Sequence, residues 1–331
     1  MSAPQNIAVI GGGSWATAIV KMLSENREHI LWWMRNPDTI THIKKYGNNP
    51  NYISSADLHQ DKLTISDNLD DIVGQADCLI LAVPSAFLRT ILKQMNGSLK
   101  DKFIVSAVKG IIAEKNRIIG EYLHNKFGIS YENIGVLTGP CHAEEVALER
   151  LSYLTVACED IQKAEWFAQQ IRCRYIKANT SEDIFGTEIA AVLKNVIAIA
   201  SGICHSLGYG DNFQSVLASN AIREIKRFVD AVHPIKRDIK ESAYLGDLLV
   251  TMYSQFSRNR TFGNMIGKGY SVKSAQLEMK MVAEGFYAVK CIKEINDEHQ
   301  IEMPITKAVY NILYERISPV IEMRLLSDQL N

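Results

Sequence analysis

Four consecutive apolar residues, Ile7 to Ile10, lead without interruption into Gly11-Gly12-Gly13-Ser14-Trp15-Ala16, and a helical pattern follows from Thr17 to Leu23. No other stretch limits the fold of this chain so tightly. A short, continuously apolar run suits a parallel strand buried on both faces. A glycine turn between such a strand and a helix has the GxGxxA form of the dinucleotide fingerprint, in the context that fingerprint requires. Gly11 permits the tight turn, Gly13 lets the backbone approach a pyrophosphate, and Ala16 keeps helix and strand close. The helix start then offers free N–H groups and a partial positive charge to the phosphates.

The segments that follow repeat the alternation. A second strand, His29 to Met34, ends at Arg35, where NAD-specific domains often carry an acidic residue for the ribose 2′-hydroxyl. A guanidinium there suits a 2′-phosphate or stacks on adenine, so NADP is accommodated, and Asp38 nearby keeps NAD open. Further strands are expected at Asp77–Val83, running into Pro84-Ser85, and at Phe103–Val108, running into Lys109-Gly110. Others follow at Ile134–Leu137, Leu154–Ala157 and Arg174–Lys177, with helices at Ala86–Met95 and Ile161–Ile171. Lys109 sits at a strand's carboxyl end, where open α/β sheets bind ligands and where ordinary surface lysines also occur. Thr138-Gly139-Pro140-Cys141-His142-Ala143 turns backbone groups toward the same edge. The pattern predicts a doubly wound sheet over residues 1–180.

From Asp183 the strand signals stop and long helical periods take over, so residues 181–331 are expected to form a second, all-helical domain. Its most apolar stretch, Ile184 to Leu207, is apolar over most of its surface, as a buried helix is. Lys194 and Asn195 lie inside it. Burying a lysine is costly without a partner, although a lysine on a narrow polar stripe can also snorkel to water. Further along, Asp247 and Thr251 share a helix face, and Ser257-Arg258-Asn259-Arg260 gathers donors suited to a phosphate. Asp247 can equally be read as a helix cap, and the second group as a solvated loop.

Composition narrows the classes. The 331 residues carry a formal net charge of -1, which gives no electrostatic basis for nucleic acid or an anionic membrane as partner. The six cysteines form no CxxC pair and read as reduced thiols of a cytoplasmic protein. His142, His205 and His233 lack metal-ligand spacing, so no metal is assigned. No signal peptide and no run of about twenty uninterrupted apolar residues is visible, so no stable membrane insertion is expected.

Together these motifs resemble the bacterial type of the NAD(P)-dependent glycerol-3-phosphate dehydrogenase family over essentially the whole chain. The resemblance rests on GGGSWATA (11–18), VPS (83–85), KG (109–110), TGPCHAEEV (138–146), AAVLKNVIAIASG (190–202), LGYGDN (207–212), GDLLVTMYSQFSRNRTFG (246–263) and EG (284–285). It implies hydride transfer between sn-glycerol 3-phosphate and dihydroxyacetone phosphate with NAD or NADP, supplying glycerol 3-phosphate for phospholipid synthesis. It also implies a Rossmann domain followed by a helical domain, a small phosphate-ester substrate, and a homodimer. By resemblance, Lys194 is the proton donor and acceptor, Lys109 its partner at the substrate, and Asp247 orients them, with Thr251 close by. Ser257, Arg258 and Asn259 align with substrate binding, as do Gly139 and Cys141. Ser14, Trp15, Arg35, Lys109, Ala143, Arg258, Val282 and Glu284 align with cofactor contacts, beside Gly11 and Gly13. The chain departs from the family at Ala16, usually glycine, and at Cys141, usually serine; a thiol is the weaker hydrogen-bond donor. Two other readings compete: a two-domain dehydrogenase for a hydroxy acid or sugar acid, and a dinucleotide sensor without catalysis.

Overall fold

The computed structural model describes residues 4–112, 116–279 and 282–331. The chain divides into two compact units, one comprising residues 1–108 and 119–184, the other 109–118 and 185–331. Residues 109–118, which lie well before the expected boundary at 180, therefore group with the helical part.

The first unit is built on strands β1 (Ile7–Ile10), β2 (Ile30–Trp33), β3 (Leu63–Ser66), β4 (Cys78–Leu81), β5 (Phe103–Ser106), β6 (Ile134–Thr138), β7 (Ser152–Cys158) and β8 (Ile176–Ser181). Their order in the sheet is β3-β2-β1-β4-β5-β6-β7-β8. Pairing is parallel from β3 through β6, antiparallel between β6 and β7, and parallel again between β7 and β8. Every residue of β1, β2, β4, β5 and β6 is buried, which is why those strands read as unbroken apolar runs. The intervening helices are α1 (Ser14–Ser24), α2 (Pro37–Tyr46), α3 (Leu69–Gln75), α4 (Ser85–Gln94), α5 (Ile119–Phe127), α6 (Ala143–Ala147) and α7 (Ile161–Ile171). Asn36, Asn68 and Asp160 cap α2, α3 and α7 through their side-chain oxygens. Strand order reverses at β1, between β2 and β4, so the glycine turn after β1 and Val83-Pro84-Ser85 after β4 flank the switch point where such sheets bind ligands.

The second unit is helical: α8 (Ile184–Ser206), α9 (Asp211–Val232), α10 (Asp247–Tyr253), α11 (Arg258–Gly267), α12 (Val272–Glu278), α13 (Glu284–His299), α14 (Pro304–Leu313) and α15 (Pro319–Ser327). Helix α8 is long and apolar enough to cross a membrane, yet 94% of its most apolar window is buried inside the protein. It is the core helix, with Val196, Ile197, Ile199, Ala200 and Ile203 completely buried among α9, α11, α13 and α14. It packs tightly against α11. A Cβ added at Gly202 would overlap the Arg260 carbonyl, and one at Gly263 would overlap the Ile199 carbonyl. The two backbones touch, and only glycine fits at those positions.

Candidate active site

In the first unit, the turn Gly11-Gly12-Gly13 has the shape a dinucleotide needs. Gly11 adopts φ 137°, and a Cβ there would overlap the Ala82 carbonyl oxygen. At Gly13 an added Cβ meets nothing within 4 Å, so open space lies in front of the turn. Ser14, buried, and Trp15, half-buried, open α1, whose first N–H groups have no intrahelical acceptor. Open space before a glycine backbone and a helix N-terminus fits a pyrophosphate. Arg35 is exposed immediately beyond β2. Ala143 begins α6 after Gly139, which has φ 115° and packs against the backbone of β7 at Tyr153 and Leu154. The Cys141 thiol donates to the Gly139 carbonyl at 3.4 Å, so its hydrogen serves the loop's own backbone.

In the second unit, α8 and α10 bring Lys194 and Asp247 together. Lys194 Nζ donates to Asp247 Oδ1 at 2.5 Å, with the two side chains 5% and 1% exposed. Lys109 Nζ lies 3.8 Å from the same oxygen and is 21% exposed. One carboxylate thus faces two ammonium groups, one deeply buried and one nearer the surface. Asn195 fixes the second: its Nδ2 donates to the Lys109 carbonyl at 2.8 Å, so Lys109 is held from its backbone. A π-turn, Ser242–Gly246, runs directly into α10, so Asp247 is the first residue of a continuing helix and does not act as its N-cap. Thr251 is buried on the same face, but its hydroxyl donates back to the Asp247 carbonyl at 2.6 Å. It braces the helix turn that presents the carboxylate.

Ser257-Arg258-Asn259 is not a loose loop. Ser257 caps α11 by accepting from Arg260 N at 3.3 Å, which leaves its hydroxyl hydrogen to donate. Arg258 is half-buried in the first turn, and Asn259 is buried at 7% exposure. Asn259 Oδ1 accepts from Gly285 N at 2.9 Å, tying this helix start to that of α13, where Glu284 and the preceding Val282 are half-buried. The amide hydrogens of Asn259 remain its donating end. Sequence reasoning singled out Lys194 and left Asn195 without a role; the one available signal was its adjacency to that lysine.

A sheet whose strand order reverses beside this glycine turn, followed by a helical unit that gathers two lysines on one buried aspartate, defines a nicotinamide-nucleotide-dependent dehydrogenase. Comparison with known proteins makes the class specific. Residues 6–164 match the family model for the NAD-dependent glycerol-3-phosphate dehydrogenase N-terminus, and residues 183–323 match that for its C-terminus. The glycerol-3-phosphate dehydrogenase [NAD(P)+] of Macrococcus caseolyticus is 35% identical over 311 residues, covering 93% of each chain. That of Staphylococcus carnosus is 32% identical over 313 residues, covering 94% of each. The crystal structure of the Coxiella burnetii glycerol-3-phosphate dehydrogenase superposes with a TM-score of 0.89 at 26% identity, over 97% of this chain and 98% of that one. The chain belongs to the NAD-dependent glycerol-3-phosphate dehydrogenase family.

Proposed function

We propose that Lys194 is the proton-transfer residue of this enzyme, which interconverts sn-glycerol 3-phosphate and dihydroxyacetone phosphate with NAD(P) and supplies precursor for glycerophospholipids. The observation that carries the assignment is the shared Asp247 oxygen, 2.5 Å from Lys194 Nζ and 3.8 Å from Lys109 Nζ. When NAD(P)H is bound it supplies the hydride that reduces the C2 carbonyl. Negative charge grows on the carbonyl oxygen, and the two ammonium groups stabilise it where little water competes. Lys194 gives up the proton as the alcohol forms and takes it back in the reverse direction. Asp247 holds the ammonium in place, and Thr251 braces the turn behind it. Arg258 presents a fork to the phosphate at the N-terminus of α11, while Ser257 and Asn259 add neutral donors. Binding the non-reacting phosphate this way positions the carbonyl. Residues 1–180 then act as the NAD(P)-binding domain and 181–331 as the substrate domain, with Lys109 contributed to the latter.

The same reading includes Gly11, Gly13, Ser14, Trp15, Arg35, Ala143, Val282 and Glu284 as cofactor contacts, and Gly139 and Cys141 as substrate contacts. It also includes a homodimer located in the cytoplasm without nucleic-acid partners; six cysteines in no disulfide support the compartment, and a net charge of -1 supports the lack of nucleic acid. The test follows absorbance at 340 nm with dihydroxyacetone phosphate and either NADH or NADPH. Rapid oxidation by the native enzyme and its loss in Lys194→Ala, with cofactor binding kept, is the expected result. Near-normal turnover in that variant overturns the role given to Lys194.

A further inference from the structure

We infer that Trp32, Asn49 and Thr17 are positioning residues for the cofactor: they pin all three carbonyls of the glycine turn so that its N–H groups stay turned toward the pyrophosphate. The Trp32 indole, completely buried on β2, donates Nε1–H to the Gly11 carbonyl at 2.6 Å. Asn49, completely buried in the loop after α2, donates Nδ2–H to the Gly12 carbonyl at 3.1 Å and to Thr17 Oγ1 at 2.8 Å. Thr17 Oγ1 in turn donates to the Gly13 carbonyl at 3.1 Å, beside the helical bond from Thr17 N at 3.0 Å. Each of the three carbonyls therefore has a partner on the protein side.

Three consecutive glycines are the most freely rotating backbone a chain can present, and glycine loses the most conformational entropy on ordering. A peptide plane that turns over would aim a carbonyl oxygen at an anion and remove an N–H donor from it. Binding would then carry the cost of selecting the competent turn, in proportion to the fraction of molecules that hold it. Pinning the oxygens removes that cost before the cofactor arrives. Asn49 is well suited to this: its own Oδ1 accepts from Asn51 N at 3.2 Å, so the amide cannot swing away without breaking a second bond. The bonds come from β2, α1 and the loop after α2, so the turn is held from more than one side.

None of these side chains belongs to the lysine cluster, so their loss is read apart from catalysis. Trp32→Phe keeps an aromatic ring in a smaller side chain and deletes the donor; Thr17→Val keeps the shape and deletes the hydroxyl. Equilibrium titration with NADH, read by fluorescence, is expected to give a Kd raised about five- to tenfold in each. Thr17→Ser, which restores the hydroxyl, should return the Kd to within twofold of the native value. The KM for dihydroxyacetone phosphate at saturating cofactor should move less than twofold. Thermal melting run in parallel detects a purely structural role. A lowered melting temperature with unchanged cofactor Kd in both deletion variants overturns the proposal, as does failure of Thr17→Ser to recover the binding that Thr17→Val loses.

Discussion

Removing the buried lysine acts on chemistry and on stability, and the two can be told apart. General acid–base groups contribute about 10²–10⁴ in rate, so Lys194→Ala is expected to lower kcat by that order. It also leaves Asp247, 1% exposed, without its nearest ammonium group, while Lys109 Nζ stands at 3.8 Å. Breaking a buried pair from one side costs about 3–5 kcal/mol, so a lower melting temperature should accompany the lost turnover. Stopped-flow and thermal melting on the same preparation measure both. Added ethylamine should recover part of the rate if the missing group is the proton donor, whereas a scaffold defect would not respond. Arg258→Ala, by contrast, is expected to raise the KM for dihydroxyacetone phosphate with a smaller change in kcat, because a phosphate contact acts on ground and transition states alike. At the cofactor, Arg35→Ala should lower the NADPH to NADH ratio of kcat/KM, and an unchanged ratio would show that Arg35 does not read the 2′-phosphate. At this scale the sequence was informative wherever chemistry travels with a motif. Lys194 announced itself as a charge in an apolar helix, and Asp247 as a carboxylate sharing a helix face with Thr251. Asn195, Trp32 and Asn49 did not, because their partners lie 86, 21 and 37 residues away.

Among elements, the join between α9 and α14 has a pH dependence of its own. Glu224 projects from α9, completely buried, and accepts from Ile305 N, Thr306 N and the Thr306 hydroxyl at 2.9, 2.9 and 2.6 Å. It caps a helix 80 residues away in sequence. Burial raises its carboxyl above the usual range, outweighing the three donors and the Arg227 guanidinium that pull it down. A carboxyl raised in the folded state contributes stability that is full below its unfolded pKa and is lost as pH rises through the folded value. The native protein's advantage over Glu224→Gln, about 1–3 kcal/mol for the disrupted acceptor set, should therefore shrink as pH rises from the ordinary glutamate range through the raised folded value. Denaturant titrations across that range check it; an advantage that grows with pH would reverse the sign argued here. Such a cap could not be read from sequence, since nothing near Pro304 supplies it. The missed strand has a different cause. Leu63–Ser66 lies at the sheet edge with one buried residue in four, so its apolar signal is too thin to mark it. The last strand, expected at Arg174–Lys177, runs instead over Ile176–Ser181, where alternating exposure dilutes the pattern. Buried strands and the long core helix were legible because burial on all sides leaves an unbroken apolar run.

For the whole molecule, what a linear reading could not supply is the route of the chain. A change from strand to helix period near residue 180 suggests two consecutive domains, yet residues 109–118 leave the end of β5 and belong to the helical unit before α5 returns to the sheet. That excursion carries more than Lys109. Ile111 and Ile118, 2% and 4% exposed, join the helical core, and Asn116 Nδ2 donates to Glu294 on α13 at 2.6 Å. Burying an isoleucine contributes about 1.5–3 kcal/mol, so the two together supply about 3–6 kcal/mol. A domain's whole net stability is about 5–15 kcal/mol. Residues 185–331 expressed alone should therefore keep most of their helix by far-ultraviolet circular dichroism while losing the fixed packing reported by the near-ultraviolet signal, and should bind a hydrophobic dye. Addition of a peptide spanning residues 109–118 should reduce dye binding. A fragment that melts cooperatively without the peptide would show that the segment's two isoleucines are dispensable to this core. In that case the excursion of the chain would serve chiefly to deliver Lys109 to Asp247.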